Sequence, residues 1–320
     1  MNQHAIRPTP DLTYDARVSI CMATYQRCDQ LARLLQELAN QTRTPDQIVI
    51  VDNDAQGSAR AVVEHFAVEQ QGRMDVVYAI QPEKNIALTR NMSVALATGP
   101  WLAFIDDDES APVDWLKTLL GCAQTHQAPG VLAPVIPIIP ADAPGWIKRG
   151  SLYECPRMTT GTVVPLNTMR IGNALLHRST LDDEPQPFDP SYGVTGGSDS
   201  DLLTRLAQKG VRIIWCDEAL VDEPVDRKRM TLGWILRRAM RGGQDYARHF
   251  LKGRLTGSPP SWTRRLLFFA RALLQMGVAG MLAFISLPFG RHHAARWLAK
   301  TWANFGKLAV LSGWLYREYA

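Results

Sequence analysis

Cysteine pairs and signal-peptide features are missing from this sequence of 320 residues. Its 5 cysteines are scattered and form no Cys-x-x-Cys pair, so neither a disulfide framework nor a structural zinc site is predicted. Reduced thiols in a cytosolic compartment are expected instead. The N-terminus, Met1–His4, lacks the charged-then-apolar pattern of a secretory signal peptide.

Acidic residues are scarce in the last part of the chain. Residues 224–320 hold 17 Lys and Arg but only 3 Asp and Glu, whereas residues 1–223 hold 18 and 28. Such a basic tail favours contact with an anionic surface, either lipid or nucleic acid. Because the tail tryptophans lie among aliphatic residues rather than in a stacking groove, lipid is favoured and no nucleic acid is expected.

A short apolar run ends abruptly in four acids. Residues 101–105 are too few for a helix and predict a buried strand, and Asp106–Glu109 follow at once. Open α/β sheets bind their ligands beyond the carboxyl ends of the strands. Adjacent carboxylates repel one another unless a cation or hydrogen-bond donors neutralise them, and Mg²⁺ or Mn²⁺ with substrate phosphates meets that need. We therefore favour a metal–diphosphate site over a solvated acidic loop.

Apolar patterns predict alternating strands and helices through the first two thirds of the chain. Strands are predicted at 17–23, 47–51, 76–80, 101–105, 131–135, 171–177 and 211–216. Helices are predicted from Cys28, over 59–66 and 85–98, from Pro112, and over 199–209. This order predicts an α/β fold with a doubly wound, mostly parallel sheet. The Pro- and Gly-rich residues 136–170 predict a long loop with little structure.

Five segments carry a family resemblance. They are SICMATYQR (19–27), IVIVDND (48–54), NIALTRNMSVALATG (85–99), WLAFIDDDE (101–109) and TGGSDSDLLTRL (195–206). In this order and at these spacings they resemble the family 2 glycosyltransferases, which have the Rossmann-like GT-A nucleotide-sugar fold. The similarity is greatest to the branch that builds bacterial exopolysaccharide repeat units of the succinoglycan type on a lipid carrier.

The resemblance implies three regions. Residues 1–16 form a flexible lead-in, residues 17–225 the GT-A catalytic domain, and residues 226–320 a basic, helical, membrane-associated region.

The resemblance also implies roles for the residues of the donor site. Asp108 is the expected metal ligand of the DxD motif, and Asp106 is expected to contact the donor ribose or the metal. Asp107 is placed among the donor-binding residues although its part there is ambiguous, and Glu109 is expected only to add negative charge to the field of the site. The remaining donor-binding positions are Asp52 for the base, Thr24 and Arg27 for base and phosphate, and Arg90 and Asn91 on the donor side. For Asp54, donor contact and capping of the following helix are both open.

The acceptor hydroxyl requires a base, and the resemblance implies Asp199. Family members present Glu-Asp after a Gly pair; here Gly196-Gly197 precede Ser198-Asp199, so Ser198 replaces the usual Glu. Capping of the predicted helix by Asp199 is the structural alternative, and Asp201 is the weaker candidate for the base. One base without a second carboxylate nucleophile predicts direct displacement with inversion.

Two motifs of related enzymes are absent from the sequence. The Gln-x-x-Arg-Trp motif of processive members is missing, and Asp222-Glu223 stand where many members have a metal-binding His. A basic group in the tail, Arg237, Arg238 and Arg241, is interpreted either as a diphosphate clamp or as a solvated helix face.

Other classes fit the sequence less well. A sugar nucleotidyltransferase needs a Gly-rich loop after the first strand, where Ala23–Arg27 stand without Gly, and a phosphatase needs its Asp-x-Asp after that strand. A non-catalytic, membrane-bound scaffold is disfavoured because Asp108 and Asp199 are present.

The tail predicts attachment to a membrane. Residues 272–289 are almost free of polar side chains, at the lower limit of length for a span. Basic residues flank this stretch on both sides, so a full crossing is disfavoured by the positive-inside tendency. Residues 297–308 show an amphipathic pattern with aromatic anchors. We expect a surface-lying or re-entrant helix pair on the cytoplasmic face of the bacterial inner membrane, close to a lipid-linked saccharide acceptor.

Overall fold

The computed structural model describes residues 16–318, and the chain forms two compact units. The first comprises residues 16–136 together with Cys155–Glu223. The second comprises Pro137–Glu154 and Pro224–Glu318. The predicted lead-in, apart from Ala16, lies outside the described residues.

Nine strands and nine helices are found in the described part of the chain. The strands are β1 (Val18–Thr24), β2 (Gln47–Asp52), β3 (Asp75–Ile80), β4 (Trp101–Ile105), β5 (Gly130–Leu132), β6 (Val135–Ile138), β7 (Asn173–His177), β8 (Ile213–Trp215) and β9 (Val221–Pro224). The helices are α1 (Cys28–Ala39), α2 (Arg60–Glu69), α3 (Ile86–Leu96), α4 (Trp115–Thr125), α5 (Gly145–Lys148), α6 (Ser198–Gln208), α7 (Leu232–Leu251), α8 (Trp262–Ile285) and α9 (Arg291–Ala309).

Seven strands of the first unit form one sheet in the order β3-β2-β1-β4-β7-β5-β8. All neighbouring pairs are parallel except those that β7 makes with β4 and β5. The predicted α/β fold with a mostly parallel sheet is therefore confirmed. Since β1 and β2 pair Thr24 with Asp52, and β1 is parallel to β4, the carboxyl ends of these strands meet at one edge.

Alternation along the central strands assigns their side chains to two cores. Ile20 and Ile48 pack with α1, α2 and α4 on one face, while Cys21 and Val49 pack with α3 and α6 on the other. Both faces are covered, which explains the continuous apolar runs of the buried parallel strands. The sheet thus presents its polar chemistry at the strand ends.

Two predicted boundaries are wrong. The helix expected to begin at Pro112 begins at Trp115, because the Trp115 N–H donates to the Pro112 carbonyl in a preceding turn. The strand expected over 131–135 is two strands, β5 and β6. Within the predicted loop 136–170, the structure also contains α5 and a short segment, residues 161–164, that pairs with β8.

The second unit is built on close contact between α7 and α9. A Cβ on Gly243 would lie 1.9 Å from the Ala303 carbonyl oxygen, and one on Gly306 would lie 2.0 Å from that of Met240. The two backbones therefore touch. A small core beside them contains Ile147 from α5, so residues 137–154 pack with the C-terminal helices.

Helix α8 exposes an apolar surface along most of its length. Its buried residues are alanines, Ala272, Ala279 and Ala283. Its large exposed side chains are Trp262, Leu266, Leu267, Leu273, Leu274, Val278, Met281, Phe284 and Ile285. By length and composition this helix of 24 residues is able to cross a membrane.

Candidate active site

The acidic turn after β4 lies at the carboxyl edge of the sheet. Its ends are closed by two hydrogen bonds: the Glu109 N–H donates to the Asp106 carbonyl (3.1 Å), and the Asp106 N–H donates to Glu109 Oε2 (3.0 Å). Glu109 is buried, and burial raises the pKa of its carboxyl well above the usual value. Glu109 therefore also shapes the turn, in addition to the negative charge predicted for it.

Asp107 points into the protein and holds the loop after β1. Its carboxylate accepts hydrogen bonds from Thr24 Oγ1 (2.8 Å) and from Arg27 Nη1 (2.7 Å). Burial raises the pKa of Asp107 to about 6, although Arg27 and Thr24 oppose this shift. Asp107 thus holds the side chains of Thr24 and Arg27 in place.

Arg27 joins the loop after β1 to two acids. Besides Asp107, its Nη1 lies 3.0 Å from Asp108 Oδ2. The preceding residue, Gln26, has φ 53°, a left-handed conformation uncommon for a residue with a side chain. Strained backbone of this kind clusters at binding sites. The turn at Gln26 determines the direction in which the Arg27 side chain leaves the backbone.

The Asp106 carboxylate interacts with one cationic side chain and with two other carboxylates. Arg90 Nη2 of α3 lies 3.2 Å from Asp106 Oδ1. Desolvation raises the pKa of Asp106, Arg90 opposes that shift, and the charges of Asp108 and Asp199 add to it. Four of the predicted site residues therefore lie within electrostatic range of one another.

The Asp52 carboxylate is buried and accepts hydrogen bonds from other residues of the chain. Oδ1 accepts from the Asp54 N–H (2.9 Å), and Oδ2 accepts from the Ala59 N–H (2.8 Å) and from Tyr78 Oη (3.0 Å). These bonds fold the segment between β2 and α2. They give Asp52 a supporting task in this segment, and its contact with the donor base stays a prediction.

Asp54 closes a turn and does not cap α2. Its carboxylate accepts from the Gln56 N–H (3.0 Å) and from Gln26 Nε2 (3.1 Å), and these two bonds lower its pKa. The residue at the N-cap of α2 is Ala59. The capping alternative for Asp54 is therefore wrong.

Asp199 lies in the first turn of α6, after a sharp turn at Gly196 and Gly197. These glycines have φ of 79° and 97°, which L-residues with side chains rarely adopt. Gly197 is the N-cap, so the capping alternative for Asp199 is wrong. Asp201, the weaker candidate, is fully buried and bonds to Arg205 Nε (2.9 Å), which gives it a structural task.

The side-chain amide of Asn91 forms two hydrogen bonds with the backbone of a single residue. Nδ2 donates to the Phe188 carbonyl (2.8 Å), and Oδ1 accepts from the Phe188 N–H (2.9 Å). This pair gives Asn91 a positioning task, and its place on the donor side stays a prediction.

The carboxylates fit the class of metal that the sequence predicts. Within residues 16–318, no three His, Cys, Asp or Glu side chains converge on one point. Mg²⁺ and Mn²⁺ are hard ions that take one or two carboxylates and complete their shell with substrate phosphates and water. Asp106 and Asp108, on one open turn, provide that donor set.

The comparisons with known proteins agree with this geometry. The model of glycosyl transferase family 2 matches residues 19–181. The succinoglycan biosynthesis protein ExoM of Rhizobium meliloti (strain 1021) is 34% identical over 283 residues, which cover 87% of each chain. The chain belongs to glycosyl transferase family 2. It is therefore a glycosyltransferase, which sets aside the alternatives of a sugar nucleotidyltransferase and of a non-catalytic scaffold.

More distant glycosyltransferases share parts of the sequence and the fold. The galactofuranosyltransferase GlfT1 of Mycolicibacterium smegmatis is 30% identical and covers 64% of this chain and 70% of its own length. A mannosyltransferase of Pyrobaculum calidifontis in complex with GDP-Man and Mn²⁺ superposes with a TM-score of 0.58 at 20% identity, over 95% of this chain and 76% of that one. S. aureus TarS 1-349 in complex with UDP has a TM-score of 0.52 at 18% identity, over 94% and 93%.

Three supporting residues of this site were not predicted to have these tasks. Glu109 closes the acidic turn, Tyr78 bonds to Asp52, and Asn85 caps α3 and bonds to the Pro190 carbonyl. Only Asn85 had a local signal, since Asn directly before an apolar helical pattern is a favoured N-cap. The partners of Tyr78 and of the Asn85 amide are distant in sequence and become visible only in the folded chain.

Proposed function

We propose that this glycosyltransferase moves a sugar from a nucleoside-diphosphate sugar to a polyprenyl-diphosphate-linked saccharide during bacterial exopolysaccharide assembly. The observation that carries the proposal is the grouping of Asp106, Asp108 and Asp199 with Arg27 and Arg90 at one edge of the sheet. The similarity to ExoM supports the polysaccharide product. A UDP-sugar is the preferred donor, and the GDP-Man-bound neighbour makes GDP the second nucleotide to test.

Asp106 and Asp108 are the residues that would hold Mg²⁺ or Mn²⁺. When bound, such an ion supplies Lewis-acid stabilisation to the departing diphosphate. Arg27 and Arg90 are the cations of this chain beside the same carboxylates, and they orient diphosphate oxygens through charge-assisted hydrogen bonds. Thr24 and Asp107 hold Arg27 in its place, and Asp52 holds the neighbouring loop.

Asp199 is the base of the proposed reaction. Its carboxylate takes the proton of the acceptor hydroxyl while that oxygen forms a bond to the anomeric carbon. The bond from that carbon to the diphosphate oxygen breaks, and the nucleoside diphosphate leaves with the electron pair. Because the acceptor attacks opposite the leaving group, the anomeric configuration inverts.

The second unit supports a membrane-bound acceptor on the cytoplasmic face. Helix α8 presents apolar side chains outward. Cationic residues lie at both of its ends: Arg264 and Arg265 in its first turn, and Arg291 after its last residue. A helix of this kind lies in the headgroup region of one leaflet, held by apolar burial and by anionic lipid. The similarity to an archaeal glucosyl-dolichyl phosphate glucuronosyltransferase, 23% identical over 70% of this chain, supports a lipid-linked acceptor.

Donor hydrolysis over a panel of nucleotide sugars tests the proposal. Purified protein in detergent is incubated with UDP-glucose, UDP-galactose, UDP-N-acetylglucosamine, UDP-glucuronate or GDP-mannose, with Mn²⁺ or with excess chelator. We expect slow release of nucleoside diphosphate from one donor, and only with the ion present. Release that continues undiminished in chelator would overturn the metal-dependent part, and no release from any donor would overturn the donor class.

A further inference from the structure

Helix α3 contacts both halves of the proposed active site. Arg90, in its middle, reaches Asp106 on the metal side. Asn85 at its N-cap and Asn91 in its second turn reach the segment 188–193, which precedes the turn that carries Asp199. A single rigid element therefore touches the acidic turn and the segment before the base.

Asn91 binds the backbone of this segment as a partner strand would. Its amide donates to the carbonyl of Phe188 at 2.8 Å and accepts from the N–H of the same residue at 2.9 Å. The ring of Phe188 also packs edge-on against Phe104 of β4 and lies under the Arg90 guanidinium, 5.8 Å from the ring centre. The segment is thus fixed at Phe188 to the strand that ends in the acids.

Asn85 makes the second connection. Its Oδ1 accepts from the N–H groups of Ala87 and Leu88, which caps α3, while its Nδ2 donates to the Pro190 carbonyl at 3.2 Å. Its own N–H donates to Asn53 Oδ1 at 3.0 Å, directly after β2. Asn85 therefore connects the donor side of the sheet edge to the same segment.

Gly193 permits this approach. A Cβ there would lie 1.7 Å from Asn85 Oδ1, so no side chain fits. The Ile86 N–H donates to the Gly193 carbonyl at 3.3 Å, and the Gly196 N–H donates to the Tyr192 carbonyl at 2.8 Å. The first of these bonds connects α3 to the backbone that leads into the turn before Asp199, and the second lies within that backbone.

We propose that Asn85 and Asn91 are positioning residues that set Asp199 at a fixed distance from the Asp106–Asp108 turn. The inference rests on the proposed role of Asp199 as the base. Effective proton transfer requires the base to lie within hydrogen-bond reach of the attacking hydroxyl, and a misplacement of about 1 Å costs roughly 10²-fold in rate. The two asparagines act through the backbone of residues 188–193 and touch neither substrate nor metal.

Asn85→Asp and Asn91→Asp are the variants that isolate the two connections. Each keeps the shape of the side chain and the oxygen that accepts, so the α3 cap and the bond from the Phe188 N–H persist. Each loses the donor to a carbonyl and places a carboxylate oxygen against that carbonyl. Asn40→Asp, on an exposed amide after α1, is the matched control.

The measurements are donor hydrolysis by the full-length protein and hydrogen exchange of residues 188–199. With the donor selected by the panel, we expect kcat to fall at least about tenfold, with KM within roughly threefold. A misplaced Asp199 weakens the interaction between the base and the attacking hydroxyl, which acts only in the transition state. Exchange in 188–199 should become faster, since local hydrogen bonds protect these amides. Asn40→Asp should change none of these quantities, and melting temperatures verify folding.

Two outcomes would overturn the proposal. Unchanged kcat beside faster exchange would mean that the asparagines hold the segment without setting the base. A KM that rises in step with the loss of rate would make them donor-binding residues.

Asp199→Asn, measured in parallel, separates this proposal from the proposed function. If that variant hydrolyses donor at the wild-type rate, the role of Asp199 is wrong. Active asparagine variants beside an inactive Asp199→Asn refute the positioning alone.

Discussion

Glu109 and Asp106 exchange two hydrogen bonds, side chain to backbone at 3.0 Å and backbone to backbone at 3.1 Å. Gly172 lies against this turn, where a Cβ would be 3.1 Å from Glu109 Oε1 and 3.2 Å from Asp106 Oδ2. The acidic turn is thus closed from within and packed from one side. Its shape determines how far apart the carboxylates of Asp106 and Asp108 lie.

Glu109→Ala and Glu109→Gln should separate the shape of the turn from its charge. Glutamine retains an oxygen that accepts from the Asp106 N–H, so UDP or GDP binding with Mn²⁺ should stay within about threefold, whereas alanine opens the turn and should weaken it roughly 10- to 100-fold, as outer-shell substitutions do. Titration calorimetry measures both. Equal losses in the two variants would show that charge, not shape, is what Glu109 contributes.

Asp108→Asn should abolish metal-dependent binding of nucleoside diphosphate. Loss of one of two carboxylates removes the charge that a hard divalent ion requires. Binding of UDP or GDP with and without Mn²⁺ is the measurement, and Asp114→Asn, before α4, is the control. Wild-type affinity for the Mn²⁺ complex in Asp108→Asn would contradict the ligand assignment.

The Asp199→Asn variant should lose sugar transfer but retain its affinity for the donor. A general base contributes roughly 10²–10⁴-fold to the rate, and Asp199 makes no contribution to donor binding in the proposed mechanism. Donor hydrolysis and nucleotide affinity are measured together, with Asp182→Asn as a surface control. A variant that bound donor weakly but turned over normally at saturation would refute the role.

Leu274→Glu and Phe284→Glu on α8 should release the protein from anionic vesicles. Burial of one such side chain stabilises by about 1.5–3 kcal/mol, so each substitution should weaken binding at least roughly tenfold. Flotation with vesicles of phosphatidylglycerol and phosphatidylcholine measures this, and added salt should weaken wild-type binding. Val68→Glu, an exposed apolar residue on α2, is the control. Wild-type protein that remains unbound without detergent would refute the membrane assignment.

Gly242→Ala and Gly243→Ala, neighbours in α7, should change stability in opposite directions. At Gly242 an added Cβ meets nothing within 4 Å, so alanine should stabilise the helix by about 0.5–1 kcal/mol. At Gly243 it meets the Ala303 carbonyl, and overpacking should cost about 1–3 kcal/mol. Denaturant unfolding measures both, and a stabilising Gly243→Ala would contradict the contact between the α7 and α9 backbones.

The sequence predicted the elements whose signals are local. β1, β2 and β4 are continuous apolar runs bounded by polar residues, so their positions and the edge they share were predicted to within a residue or two. Where Pro134 interrupts such a run, one predicted strand is two. The acids at the ends of these strands could be located, but which of them faces inward could not.

The orientation of side chains at the site depends on partners distant in the chain. Asp107 is turned inward by Thr24 and Arg27, and Asn91 is engaged by Phe188, 97 positions later. Periodicity carries no information about such pairs. For the same reason, the packing of residues 137–154 with the C-terminal helices could not be predicted from the composition of that stretch.

The second unit is assembled from two stretches of chain separated by Cys155–Glu223. Ile147 from the first stretch and Ile235 from the second belong to one small hydrophobic core, and Trp146 and Trp234 pack against it. A chain shortened to residue 223 would therefore leave an uncovered apolar surface inside what remains. Exchange of the tail between related enzymes, to change the membrane or acceptor they use, would have to exchange residues 137–154 as well.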